Sequence, residues 1–168
     1  NCKLLPQGHM QSKDPELNSD YYQKVVKLRK ALGSTEGILA DIKKRVTQCK
    51  TSALEMKQNP GPVLEKLSTL DTKLATLDLS LYGDRIKASK EVEVPTSVSE
   101  RIGTMEYATW SVTSEVPQFY KDCYSTAYGQ MKSVITDLRI IDEDLKAVER
   151  LMDQNGASPT SGRWPELD

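Results

Sequence analysis

One histidine, three cysteines and a run of three acidic residues are the side chains here best suited to catalysis or metal binding. His9 sits beside Pro6, Gly8 and Met10 in a stretch without periodicity, which leaves the body of the chain without an imidazole. A Ser-His-Asp triad needs that ring to take a hydroxyl proton, a two-histidine zinc site needs a pair, and di-iron bundles need Glu-x-x-His on two helices. None of them can be assembled. Cys2, Cys49 and Cys123 lack Cys-x-x-Cys spacing, and Cys49 falls on an apolar repeat position where a small thiol packs as a hydrophobe. Asp142, Glu143 and Asp144 are consecutive, so on a helix they point about 100° apart and read as a solvated face. A carboxylate pair for glycoside hydrolysis would need a cleft that desolvates one member, and a narrow bundle offers no obvious one. The expectation is a chain with no catalytic residue, no metal site and no cofactor.

The elements that would position any site are helices. Tyr21, Val25, Leu28, Leu32, Thr35, Leu39, Ile42, Val46, Cys49, Ala53 and Met56 alternate steps of four and three, which keeps one stripe of an α-helix facing a partner. Three more seams follow: Val63 to Leu81, Val98 to Val112, and Tyr120 to Met152. None shows the sustained alternation of a strand. Asn59, Pro60, Gly61 and Pro62 close the first helix, since proline removes a donor and disfavours helical geometry in the residue before it. Residues 83–95 have no period and read as a loop or short extended piece, with Glu91, Val92, Glu93 and Val94 alternating briefly. Thr96 or Ser97 caps the third helix, with Glu100 placed as in a capping box, and Asn155-Gly156 stops the fourth. Gly33 and Gly37, spaced as Gly-x-x-x-Gly, together with Gly103 and Gly129, read as sites of close approach or mild kinking.

The fold expected is all-α: an elongated antiparallel helical bundle of four helices, two long and two short. Each long helix of about 40 residues measures roughly 60 Å at 1.5 Å per residue, and the two short ones together match it. They can run in succession beside the long pair, a three-layer bundle with a broken middle helix. The rival is a four-helix bundle over half the length, from which the long pair continues alone. A broadened apolar face on the first helix, with Tyr22, Val26, Ala31 and Ile38 beside the seam, favours the first arrangement. That arrangement sets Cys49 about 40 Å along its helix from the level of Cys123, too far for a disulfide. The bundle spans 16–156; residues 1–15 read as an appended remnant or the end of a preceding domain. Residues 157–168 read as a tail on the bundle, with Trp164 folded back to bury its indole.

The 168 residues suit a single core that buries roughly 70% of the unfolded surface. Lys and Arg number 23 against 24 Asp and Glu, and no aromatic side chains interleave with the lysines, which argues against a nucleic-acid partner. From Asp20 to Gln58 nine basic residues meet four acidic ones, whereas Gln118 to Asn155 holds five against seven, so opposite signs favour pairing of these two helices. No apolar run is long enough to span a membrane, and the beginning of the chain lacks the order of a signal peptide.

Asp84-Arg85, Val98-Ser99-Glu100-Arg101-Ile102, Tyr107 to Trp110, Ser111 to Pro117 and Lys121-Asp122-Cys123-Tyr124 form one set of local motifs. Gly156-Ala157-Ser158-Pro159 and Gly162-Arg163-Trp164-Pro165 complete it. Together they resemble the C-terminal helical region of large bacterial sortilin-like β-propeller proteins, the Asp-box (BNR repeat) proteins often labelled sialidase-like or glycosyl hydrolase-like. The likeness reaches back to Lys13-Asp14-Pro15, which resembles the end of the small β domain joining propeller to helices. It implies a piece of a larger secreted or periplasmic protein whose recognition lies in the propellers. The Asp-box pattern Ser-x-Asp-x-Gly-x-Thr-Trp does not occur here, so the catalytic label transfers to no residue.

The function expected is a non-catalytic helical accessory or interaction domain, partnered by β-propeller domains of the same parent chain or of another protein. The alternatives are an autonomous carboxylate-based, glycosidase-like hydrolase and a free-standing helical binding module. Candidate interface residues are Tyr22 and Val26 on the first helix, Ile135 and Ile140 on the fourth, and Trp164 in the tail.

Overall fold

A computed structural model describes residues 15–56, 59–111 and 114–164, apart from the side chains of Pro15, Trp110 and Ser111. Its elements are all helical: α1 (Pro15–Leu54), α2 (Gly61–Tyr82), α3 (Arg85–Ala88), α4 (Val98–Ser111) and α5 (Gln118–Gln154), with no strand among the described residues. The chain is an all-α helical bundle. His9, Cys2, Val112 and the residues after Trp164 lie outside the described part.

Two compact units divide the chain. The first holds the described residues up to Gly33 together with Tyr82–Met131; the second holds Ser34–Leu81 and the residues from Lys132 on. The first half of α1 therefore shares a unit with α4 and the first part of α5, and the second half shares one with α2 and the rest of α5. Each of the two short helices α2 and α4 thus has its own stretch of the long pair.

In the first unit, Tyr21 of α1 donates its hydroxyl to the Tyr120 carbonyl at the start of α5 (2.9 Å), and its ring meets Tyr124 edge-on. Asn18, 8% exposed, brackets the entry to α5: its Nδ2 donates to the Ser114 carbonyl (2.8 Å) and its Oδ1 accepts from the Val116 amide (3.3 Å). Arg29 pairs with Glu106 of α4 (3.4 Å). In the second unit, α2 runs antiparallel to α1, with Lys43 on Asp78 and Lys50 on Asp71, and Lys73 reaches Asp144 of α5 (2.6 Å). In the first unit the start of α1 and the entry to α5 run in the same direction, since Asn18 meets Ser114 and Val116 and Tyr21 meets Tyr120 and Tyr124; in the second, Arg45 of α1 meets Asp142 and Glu149 of α5.

The seams are the core: Val25, Leu32, Ile42, Val46, Leu67, Leu81, Ile102, Met105, Met131, Leu145 and Met152 are at most 2% exposed. Two seam assignments shift by one residue. The seams would step from Tyr120 to Tyr124 and from Met105 to Thr109; instead Cys123 is buried between half-buried Tyr120 and Tyr124, and Ala108 is buried beside half-buried Thr109.

The punctuation acts largely as its chemistry dictates. Ser97 is the cap of α4: its amide donates to Glu100 Oε2 (2.9 Å) and the Glu100 amide donates back to Ser97 Oγ (3.3 Å). Gly156, at φ 66°, ends α5 with the Ala157 amide on the Met152 carbonyl and its own amide on that of Asp153, a Schellman motif. Helix α1 stops at Leu54, ahead of the Asn-Pro-Gly-Pro signal, and Asn59 Oδ1 accepts from the Gly61 amide to start α2. Inside the stretch expected as a loop, Asp84 caps a single helical turn, α3, by accepting from the Ile86 and Lys87 amides (3.1 and 3.0 Å). Four residues carry no period, so only the cap could have announced it. The glycines 33, 37, 103 and 129 mark no close approach: a Cβ at any of them would meet nothing within 4 Å.

Candidate functional site

The most heavily charged buried centre lies in the second unit, where the tail covers α1 and α5. Arg45 donates through Nε and Nη2 to the two carboxylate oxygens of Glu149 (3.0 and 2.7 Å), and through Nη1 to Asp142 (3.2 Å). The Arg45 and Glu149 side chains are only 13% and 7% exposed. Hydrogen bonding to Glu149, only partly offset by the desolvation that works against it, holds the guanidinium charged above its ordinary range. Among the described residues the opposite-charge pairing expected between the two long helices rests on Arg45, while Arg29 turns to α4 and Lys43 and Lys50 turn to α2. The acidic run also divides: Asp142 goes to Arg45 and Lys146, Glu143 to Lys146, and Asp144 to Lys73.

The tail is tied to this centre. Ser52 Oγ donates to the Ser158 carbonyl (2.7 Å), and Thr160 Oγ1 lies 3.7 Å from Cys49 Sγ. Arg163 turns inward, donating to Asp153 (2.7 Å) and to the Ser158 and Ala157 carbonyls (2.8 and 3.0 Å). Here the expectation that Trp164 folds back fails, although the tail itself packs on the helices. Arg163 is 9% exposed and Trp164 88%. The carbonyls left beyond the end of α5 need donors, and a guanidinium supplies several in a fork while an indole supplies one. Cys49 is fully buried, and burial pushes its thiol pKa up. Cys49 and Cys123 are both free.

The candidate interface residues are divided between the two units. Tyr22 (half-buried) and Val26 (50% exposed) belong to the first unit. In the second, Ile140 lines a cleft of about 280 Å³ with Leu77, Val134, Ile141, Lys73 and Asp137, while Ile135 is half-buried and lines neither this cleft nor the groove beside the tail. Trp164 borders that separate groove, of about 660 Å³, with Arg150, Lys146, Glu149, Asp153 and Pro159. Sequence reasoning named Trp164 but missed Arg45, Glu149 and Arg163. Among the described residues no three His, Cys, Asp or Glu side chains are grouped to hold a metal ion, and no helix is long and apolar enough to cross a membrane. No known family model, curated protein or solved structure matches the chain.

Proposed function

We propose that this chain is a non-catalytic helical interaction domain of a larger exported protein whose β-propellers carry recognition. The observation that carries the reading is the apolar surface of the first unit: Leu17, Val26, Tyr107, Phe119 and Tyr128 are each half or more exposed. Large apolar side chains left exposed on a helical surface are the usual substrate of protein contacts. The fate of the buried carboxylate adds support. Glu149 has both oxygens on Arg45, which commits it to packing rather than to proton transfer. The propeller partner and the secreted or periplasmic setting rest on the resemblance of the motifs quoted above.

The test is titration of the purified chain with the propeller part of its own parent protein, followed by calorimetry. Val26→Asp is expected to weaken binding while leaving helicity intact. Turnover of sialosides or other glycosides by the chain alone, abolished by Glu149→Gln, would refute the non-catalytic reading.

A further inference from the structure

The backbone that carries Trp164 is fixed on both faces. Arg163 is held by three partners, its amide closes a turn on the Thr160 carbonyl (2.9 Å), and Gly162 adopts φ 92° against Arg45. A Cβ at Gly162 would come within 3.2 Å of Arg45 Nε, a crowding that adds to the strain any side chain would meet at that positive φ. An indole 88% exposed on such a support is a displayed group, carried by a backbone whose two preceding residues are tied down. Tryptophan and arginine are the side chains that most often anchor interfaces.

The groove beside Trp164 states the chemistry of what would fill it. Its acidic and basic side chains are nearly all committed: Lys146 to Asp142 and Glu143, Glu149 to Arg45, and Asp153 to Arg163. Arg150 is the exception, exposed and without a partner among the described residues. Among the described residues the groove thus offers one unpaired guanidinium, an indole wall, and the apolar surfaces of Ala157 and Pro159. We infer that it takes an acidic peptide segment of a partner protein, with a carboxylate on Arg150 and an adjoining apolar side chain against Trp164. This rests on the reading of the chain as an interaction domain and adds to it the surface and the partner's chemistry.

The full chain labelled with 5-fluorotryptophan gives one ¹⁹F resonance for each of its two tryptophans, assigned with Trp164→Phe. The probes are the blocked peptides Asp-Leu-Asp-Leu-Asp and Lys-Leu-Lys-Leu-Lys. The acidic peptide should shift the Trp164 resonance saturably at concentrations up to about 1 mM, the scale of a single-anchor contact. The basic one should not, and added salt should weaken the effect. Arg150→Glu should weaken the acidic peptide about tenfold or more. A silent Trp164 resonance, an equal response to both peptides, or indifference to Arg150→Glu would overturn the inference. If the parent's propeller part binds Trp164→Ala and Arg150→Glu as it binds the unaltered chain, this groove is excluded and the interaction reading stands. If the propeller part does not bind while the acidic peptide still seats on Trp164, the groove stands and the propeller partner falls.

Discussion

Replacing Arg45 by leucine should be among the most destabilising single changes in the second unit. The substitution removes three hydrogen bonds at once, two of them to Glu149. Asp142 keeps Lys146 at 2.8 Å and is 28% exposed, so it loses little. Glu149, with 7% of its side chain exposed, is left as an uncompensated buried carboxylate. Breaking a buried pair from one side costs about 3–5 kcal/mol, a large share of the 5–15 kcal/mol that holds a typical domain together. Arg45→Leu combined with Glu149→Leu removes both charges, and the pair's desolvation cost with them, so the double variant should recover most of the loss. Lys43→Leu and Lys50→Leu provide the comparison: their pairs with Asp78 and Asp71 are 35–49% exposed, and each should cost about 1 kcal/mol or less. Urea unfolding followed by circular dichroism measures all of these on one scale, with the midpoint compared at constant slope. If Arg45→Leu costs no more than Lys43→Leu, or if the double variant is as unstable as the sum of the singles, the centre is not the buried ion pair described.

Alanine at Gly33, Gly37, Gly103 or Gly129 should stabilise the protein by roughly 0.5–1 kcal/mol each, since every site is helical and open; a fall in the unfolding midpoint at any of them would contradict that. Gly162→Ala should do the reverse, through both its positive φ and the Arg45 contact. Backbone hydrogen bonds, that of Lys87 foremost, hold the Asp84 carboxyl below its ordinary range. Its contribution is therefore complete above the ordinary carboxylate range and lost as pH falls through the lowered folded value, so the Ile86 and Lys87 amide resonances should titrate below the ordinary carboxylate range. Burial raises the Cys49 thiol, so its stabilising share is complete below the ordinary thiol range and is lost as pH rises through the raised folded value. Alkylation at mildly alkaline pH should accordingly be slow in the native chain and much faster when Thr160 and the rest of the tail are removed.

What could be read beforehand follows from how far apart in sequence the interacting groups lie. A seam is a local statement repeated every seven residues, so Leu32, Leu67, Ile102 and Leu145 were assignable without knowing which helix each would meet. Ser97–Glu100 and Asn155–Gly156 are local too, and both took the expected form. Arg45 and Glu149 are 104 residues apart on the flanks of two seams, where nothing in either neighbourhood marks them as a pair. The inversion of Arg163 and Trp164 was hidden for a related reason. Apolar area favours burying the indole, but that ranking leaves out the unpaired carbonyls past the end of α5, which only the assembled tail reveals. The glycines misled because their spacing carries different meanings by setting: on outward positions of a solvated helix they have no neighbour to approach.

The two units solve the same packing problem with different side chains. All seven tyrosines and Phe119 fall in the first, where Tyr21 spends its hydroxyl on the Tyr120 carbonyl and its ring on Tyr22 and Tyr124. Burial, with neighbouring Cys123 and the other tyrosines adding to it, drives its phenol well above the ordinary range, so it remains a neutral donor in that bond. The second unit has Trp164 as its one aromatic residue and joins its helices by ion pairs: Lys43–Asp78, Lys50–Asp71, Lys73–Asp144 and the Arg45 centre. Ion pairs at helix flanks fix register and leave the surface hydrophilic, whereas rings at the same flanks leave apolar area exposed, as at Phe119 and Tyr128. The side chains that close the first unit are thus also the ones that make its surface suited to another protein, whereas the second unit exposes aliphatic groups, Ile38, Leu54, Leu79 and Ile140, beside its one indole.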